Sequence, residues 1–272
     1  MANPSSWFES GYEGADREQE KRDLGGGPKR WWMAAATTKE VVFVDDTPVC
    51  FDEHQWKTAE SKFPNWATCI AKISQEPCAG CTTTGVGKAD YTGHLTMIDI
   101  TGYISGKGTA KEKHVRFELV EFTPKLKVMN KLKFKKANAG SLIGQLYKLS
   151  RADSDAPNSG DDLDFQRAAN MEALYKAVTY RGKNISEMIL VANGTGDAAK
   201  KMRRYLAHQF QIPDEGVIPE VIPRFNYMKL HEPMDSGDLR RAVAGAVAWN
   251  SNGARPASGG HSSASAEDDV PF

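Results

Sequence analysis

Four cysteines occur in this 272-residue chain, Cys50, Cys69, Cys78 and Cys81, all within one short segment. A disulfide-stapled secreted protein would spread its cysteines through a smaller chain, so clustering points to thiolates gathered around a metal ion in a reducing compartment. Cys78-Ala79-Gly80-Cys81 is a CxxC knuckle, in which a tight turn lets two sulfurs reach one ion and Gly80 relieves the backbone. Eight residues separate Cys69 from Cys78, and fourteen separate His54 from Cys69. Three cysteines and one histidine make a closed structural zinc set, with Cys50, four residues from His54, as the alternative fourth ligand. Such a site leaves no open position for an activated water, so the ion would fold a loop rather than catalyse. The bland alternative is four buried, chemically idle cysteines, and the CxxC with two further soft ligands argues against it.

A second kind of chemistry is written in charge and aromatic side chains. Lys and Arg (35) balance Asp and Glu (35) overall, so only the distribution is informative. Residues 107–136 carry Lys107, Lys111, Lys113, Arg116, Lys125, Lys127, Lys131, Lys133, Lys135 and Lys136 against Glu112, Glu118 and Glu121. Tyr103, Phe117, Phe122 and Phe134 interleave with them, and Lys29-Arg30-Trp31-Trp32 forms a second basic and aromatic cluster. Phosphates and stacked bases of a single strand need both ingredients. The candidate contacts are Lys29, Arg30, Trp32, Tyr91, Tyr103 and the basic residues from Lys107 to Lys135. Phe117 and Phe122 read equally well as core, and for Trp31, Trp32, Trp56 and Trp66 packing around the zinc segment competes with stacking.

The elements that must position these groups begin after a breaker cluster, Leu24 to Pro28, which closes a polar N-terminal arm of residues 1–28. Residues 39–44 and 68–71 read as strands, as do 94–100 and 114–122 with Gly106-Lys107-Gly108 as the turn between them. Leu126, Met129 and Leu132 mark one stripe of a short helix or the exposed face of a strand. A polar loop, 151–164, ends the core of residues 29–165, after which Phe165, Ala169 and Leu174 begin a helical lobe of residues 166–250. Within it one helix runs from Asp197 through Phe210, and Ser236 caps another bearing Leu239 and Val243. Residues 251–272 are expected as a disordered linker of Ser, Gly, Ala and Asn that ends in an acidic tip. No run approaches the length of a membrane helix and the start MANPSSWFES lacks the parts of a secretory signal, so the expectation is a soluble cytoplasmic protein without a membrane partner.

The tip, Glu267-Asp268-Asp269-Val270-Pro271-Phe272, resembles the acidic C-terminal tip of bacterial single-stranded DNA-binding proteins. That resemblance implies that Asp268, Asp269, Pro271 and Phe272 dock on replication partners such as a polymerase, helicase or nuclease. The zinc segment resembles the helix-destabilising proteins of T-even phages, whose core binds zinc through a His, a Cys and a final CxxC in the order of His54, Cys69, Cys78 and Cys81. Together these imply an α+β chain: a mainly β, OB-like barrel carrying the zinc loop, plus the helical lobe. The function implied is binding of single-stranded DNA without sequence preference in phage replication, recombination and repair, within the host cytoplasm. Two other readings use the same residues. One is a zinc-ribbon transcription or interaction module; the other is a nuclease holding magnesium at Asp45-Asp46 or Asp161-Asp162.

Overall fold

The computed structural model describes residues 27–61, 63–74, 77–105, 112–153, 155–213 and 215–247. The N-terminal arm as far as Gly26, the 106–111 turn, the linker and the acidic tip expected from sequence lie outside them. The strands are β1 (Thr37–Phe43), β2 (Val49–Thr58), β3 (Asn65–Thr68), β4 (Asp90–Ser105), β5 (Glu112–Phe122), β6 (Gln145–Arg151), β7 (Asp162–Ala168), β8 (Thr179–Tyr180), β9 (Lys183–Asn184) and β10 (Ala246–Val247). Seven helices accompany them among the described residues: α1 (Ala79–Thr82), α2 (Leu126–Ala139), α3 (Met171–Ala177), α4 (Ile185–Ala192), α5 (Asp197–Gln209), α6 (Tyr227–Leu230) and α7 (Ser236–Val243).

The main path of the sheet runs β7-β6-β1-β4-β5-β8-β9, antiparallel except between β5 and β8. The architecture is therefore α+β and β-rich, and no closed barrel forms among the described strands. The 16-residue β4 organises it. Its second half pairs with β1 (Phe43 opposite Met97), and its first half pairs with β2 (Val49 opposite His94). The segment from β1 to β2 thus follows β4 in one direction, interrupted only at residues 44–48. Beyond the interruption, β2 takes β3 and β10 as its other partners.

Strand side chains alternate between faces, and here both faces are covered. Val42, Val44, Ile98, Leu119 and Leu146 point to one side, where they share an apolar cluster with Leu174, Ile185, Ile189, Leu206 and Phe225 from the helical half of the chain. Val41, Phe43, Met97, Val120, Phe122 and Tyr147 point to the other, under Val128 and Leu132 of α2 and beside Trp31. Each such side chain contributes roughly 1.5–3 kcal/mol when fully buried, so the two clusters hold the sheet between layers. A third cluster joins Trp56, Cys69 and Cys78 to Leu239 and Val243 of α7.

Several expectations are corrected by this arrangement. The helical half does not stand apart as a lobe: it shares its core with the sheet. The expected break near residue 165 lies inside β7, where Phe165 pairs with Tyr147 of β6. Residues 126–139 are helical, but Val128 joins Met129 and Leu132 on the buried stripe while Leu126 is exposed. Gly140, at φ 78, ends that helix in a backbone region open to glycine. The cap of α7 is Asp235, whose carboxylate accepts from Asp238 N, one residue before the expected Ser236. No helix among the described residues is long and apolar enough to cross a membrane.

Candidate metal centre and nucleic-acid interface

His54 stands on β2, Cys69 follows β3, Cys78 caps the single turn of α1 and Cys81 lies within it. Pairing of β2 with β3 sets His54 opposite Ala67, which places Cys69 just past the strand end on the same side of the molecule. The CxxC turn then closes over the pair, because Cys81 N donates to Cys78 O at 3.0 Å.

The four ligand atoms converge. Cys69 Sγ lies 4.0 Å from Cys78 Sγ and 3.7 Å from Cys81 Sγ. His54 Nε2 lies 3.4 Å from each of Cys78 Sγ and Cys81 Sγ. A tetrahedral ion with bonds of about 2.3 Å to sulfur and about 2.05 Å to nitrogen requires edges of about 3.8 Å and about 3.6 Å. The spacing fits within a few tenths of an ångström, so this His/Cys cluster of four could hold a metal ion. His54 Nδ1 donates to Gly87 O at 3.0 Å, which leaves the lone pair on Nε2 and turns it toward the sulfurs. Gly80 packs against that ring so closely that a Cβ there would sit 2.5 Å from His54 Cδ2.

Electrostatics point the same way. Burial would raise the Cys78 thiol, but backbone N–H groups of Ile70, Cys81 and Gly80 and the nearby His54 outweigh it and bring it down to about 7. Burial and the adjacent Cys69 and Cys78 push Cys81 up to about 12. Three thiolates cannot share this space without a cation to offset them.

Cys50, the alternative ligand, is not part of the cluster. Its sulfur lies 3.7 Å from Met129 Sδ of α2. The physical reason is the strand itself: four residues along β2 are about 13 Å, too far for one residue to replace the other.

The expected nucleic-acid contacts do not all lie together. Lys127, Lys131, Lys133 and Lys135 lie together on α2, a 14-residue helix with five lysines and no acidic residue. Phe134, 65 % exposed, lies among them and lines a groove of about 330 Å³ with Asn130, Lys131, Lys135, Asp162 and Leu163. Lys131 Nζ donates to Asp161 O, tying the helix to the β6–β7 connection. Beside the N-terminal end of α2, Thr92 bridges Lys125, whose Nζ donates to Thr92 Oγ1 at 2.7 Å, and the neighbouring Tyr91 is half exposed. Trp32 is exposed, Lys29 pairs with Glu118 at 3.3 Å, and Arg116 lies 3.9 Å from the same carboxylate. Arg30 belongs elsewhere: it is largely buried, donates to both oxygens of Glu53 and lies 3.5 Å from Glu121, so it is no surface contact. The side chains of Tyr103 and Lys113, all of Lys107 and Lys111, and the tip residues Asp268, Asp269, Pro271 and Phe272 lie outside what the structure describes.

The paired aspartates serve local ends. Asp45 is buried and accepts from Thr96 N, while Asp46 accepts from Lys136 and Ser141. Asp161 and Asp162 accept from backbone N–H groups of Ala152 and Leu163.

Sequence reasoning missed a buried polar cluster of Arg30, Glu53, His94, Glu121 and His231. No spacing signal could have found it, since the five residues are brought together by the pairing of β2, β4 and β5, by the bridge of Arg30 to Glu121 and by the chain after α6. No protein-family model matches the chain, and comparison with curated proteins and with solved structures finds no match.

Proposed function

We propose that this chain binds single-stranded nucleic acid, DNA in the first instance, without reading its sequence, and that the four-ligand centre holds a structural zinc ion. The observation that carries the reading is α2: five lysines and no carboxylate on 14 residues, with the exposed Phe134 beside a groove. A helix of that length spans about 20 Å, the reach of a few nucleotides. Tyr91 lies beside one end and Phe134 near the other, so bases could stack at both while phosphates follow the lysines. The OB-like character of the β core, the likeness to phage helix-destabilising proteins, and a role in replication, recombination and repair belong to the same proposal. So does the recruitment of replication proteins by the tip, Asp268 to Phe272. They rest on the order of His54, Cys69, Cys78 and Cys81 and on the acidic Pro-Phe ending. Zinc is favoured over other ions because three thiolates and one imidazole in a tetrahedron suit a soft, borderline d¹⁰ cation.

The experiment is a salt titration of the full chain against labelled oligo-dT, matched duplex and oligo-rU, with and without a zinc chelator. Tight, salt-sensitive, single-strand-selective binding that chelation weakens is the expected result. Binding equal on duplex and single strand would replace this reading with that of an interaction module built on the metal centre.

A further inference from the structure

Glu53 of β2, His94 of β4 and Glu121 of β5 meet His231 beside α6 in the interior. Glu121 Oε1 lies 2.6 Å from His94 Nδ1 and 2.6 Å from His231 Nε2. An ionised carboxylate only accepts, so each imidazole donates that N–H to Glu121. Glu121 also lies 3.5 Å from the Arg30 guanidinium, which pairs with it as a carboxylate. With those nitrogens protonated, the lone pairs of neutral imidazoles fall on His94 Nε2 and His231 Nδ1. Both face the same atom, Glu53 Oε1, at 3.8 Å and 4.0 Å.

Arg30 Nη2 donates to Glu53 Oε1 from one side, and the two imidazole nitrogens bring further electron-rich atoms toward the same oxygen from the other. His94 Nε2 is fully buried and has no hydrogen-bond partner. Each histidine is anchored on its far nitrogen by a carboxylate, the usual outer support of a metal-binding imidazole.

We propose that Glu53, His94 and His231 form a second metal centre, taking a divalent first-row transition ion on two imidazole nitrogens and one carboxylate oxygen, with Glu121 orienting both rings. An ion with bonds of about 2.1 Å would draw the two imidazole nitrogens toward Glu53 Oε1 from 3.8 Å and 4.0 Å to roughly 3.0–3.6 Å, a closure of up to about 1 Å. All three ligand atoms already lie within 4.8 Å of one another. Phe51 stacks on His94 at 4.1 Å, and Thr68 Oγ1 donates to the backbone carbonyl of His231 at 2.8 Å, which holds that residue's backbone beside β3. The ion would clamp the residues after α6 onto the sheet. The inference is independent of nucleic-acid binding.

The test is a metal count on the full-length protein produced in cobalt-supplemented medium. Thiolate-to-cobalt absorption reports the ion held by the cysteines, and elemental analysis reports total cobalt. Total cobalt one ion per chain above the thiolate-bound count is expected in the unmutated protein, and this needs no variant. His231→Gln or His94→Gln should lower the total by one ion per chain and leave the thiolate absorption unchanged. Total cobalt equal to the thiolate-bound count in the unmutated protein overturns the proposal, as does an identical total in unmutated protein and His231→Gln.

Discussion

Replacing Gly80 by alanine places a methyl carbon 2.5 Å from His54 Cδ2, 2.8 Å from Cγ and 2.9 Å from Nε2. Carbon atoms rest at about 3.5–4.0 Å, so ring and backbone must separate by about 1 Å. The ring has little room to yield. Its Nδ1 is held by Gly87 O at 3.0 Å, and its Nε2 faces two sulfurs at 3.4 Å. A metal site tolerates displacements of only about 0.2 Å from proper bond lengths, so His54 loses either its orienting hydrogen bond or its bond to the ion. Losing an orienting partner typically costs 10–100-fold in metal affinity, about 1.4–2.8 kcal/mol, and losing the ligand costs more. Helix propensity pushes the other way, since alanine within the turn of α1 would stabilise by up to about 1 kcal/mol if nothing clashed. The two effects differ in sign. Zinc affinity measured by competition with a chromophoric chelator should therefore fall at least tenfold in Gly80→Ala, and the melting temperature of the zinc-loaded chain should fall with it. Unchanged or tighter zinc binding would refute the packing of Gly80 against a ligating His54.

Other perturbations test other parts of the structure. Burial raises the Asp45 carboxyl to about 7, so the folded chain keeps a proton that the unfolded chain releases near pH 4. Stability should fall as pH rises from 4 to 7, by at most about 4 kcal/mol, and urea unfolding of Asp45→Asn at pH 5 and pH 8 should show that slope flattened. Phe134→Ala should weaken oligo-dT binding by about 1–3 kcal/mol with little change in salt slope, if a base stacks there. Lys127→Ala should instead reduce the slope of log K against log salt by about 0.7; equal effects from both substitutions would remove the distinction between stacking and phosphate contact at α2. Cys50→Ser should leave the metal count unchanged, and a lost ion would return Cys50 to the ligand set.

The His/Cys cluster was legible in the sequence because its four residues come from one short segment, where spacing alone limits the geometry. Choosing between His54 and Cys50 needed one further step. The apolar and polar alternation around residues 49–58 is weak, and a loop there would have let the two residues exchange places. Once those residues are a strand, the distance between them decides the matter. The basic surface was legible only as composition. Lysines 127–135 could be assigned to a helix or an exposed strand, and only the burial of Val128 with Met129 and Leu132 fixes the helix and so brings Phe134 out beside Lys131 and Lys135. Arg30 shows the opposite failure: a basic residue beside tryptophans looks like a surface contact until two buried carboxylates are found to surround it.

What the sequence hid most completely is the division of labour along β2. Successive residues of a strand point to opposite faces, so Glu53 and His54, neighbours in sequence, serve different sites. His54 faces the sulfurs beside Trp56 and Cys69, whereas Glu53 faces Arg30, His94 and His231. Sheet pairing holds the strand from both sides, through β3 opposite Glu53 to Trp56 and β4 opposite Val49 to Glu53. A shift of β2 by one residue would exchange the faces and destroy both clusters together. The register of this strand is therefore fixed by polar chemistry on its two sides, where most strands are fixed by apolar burial on one. It follows that filling the cysteine centre stabilises the pairing that also assembles Glu53 with the two imidazoles. The two clusters are coupled through a single backbone segment, although no side chain of one ligates in the other.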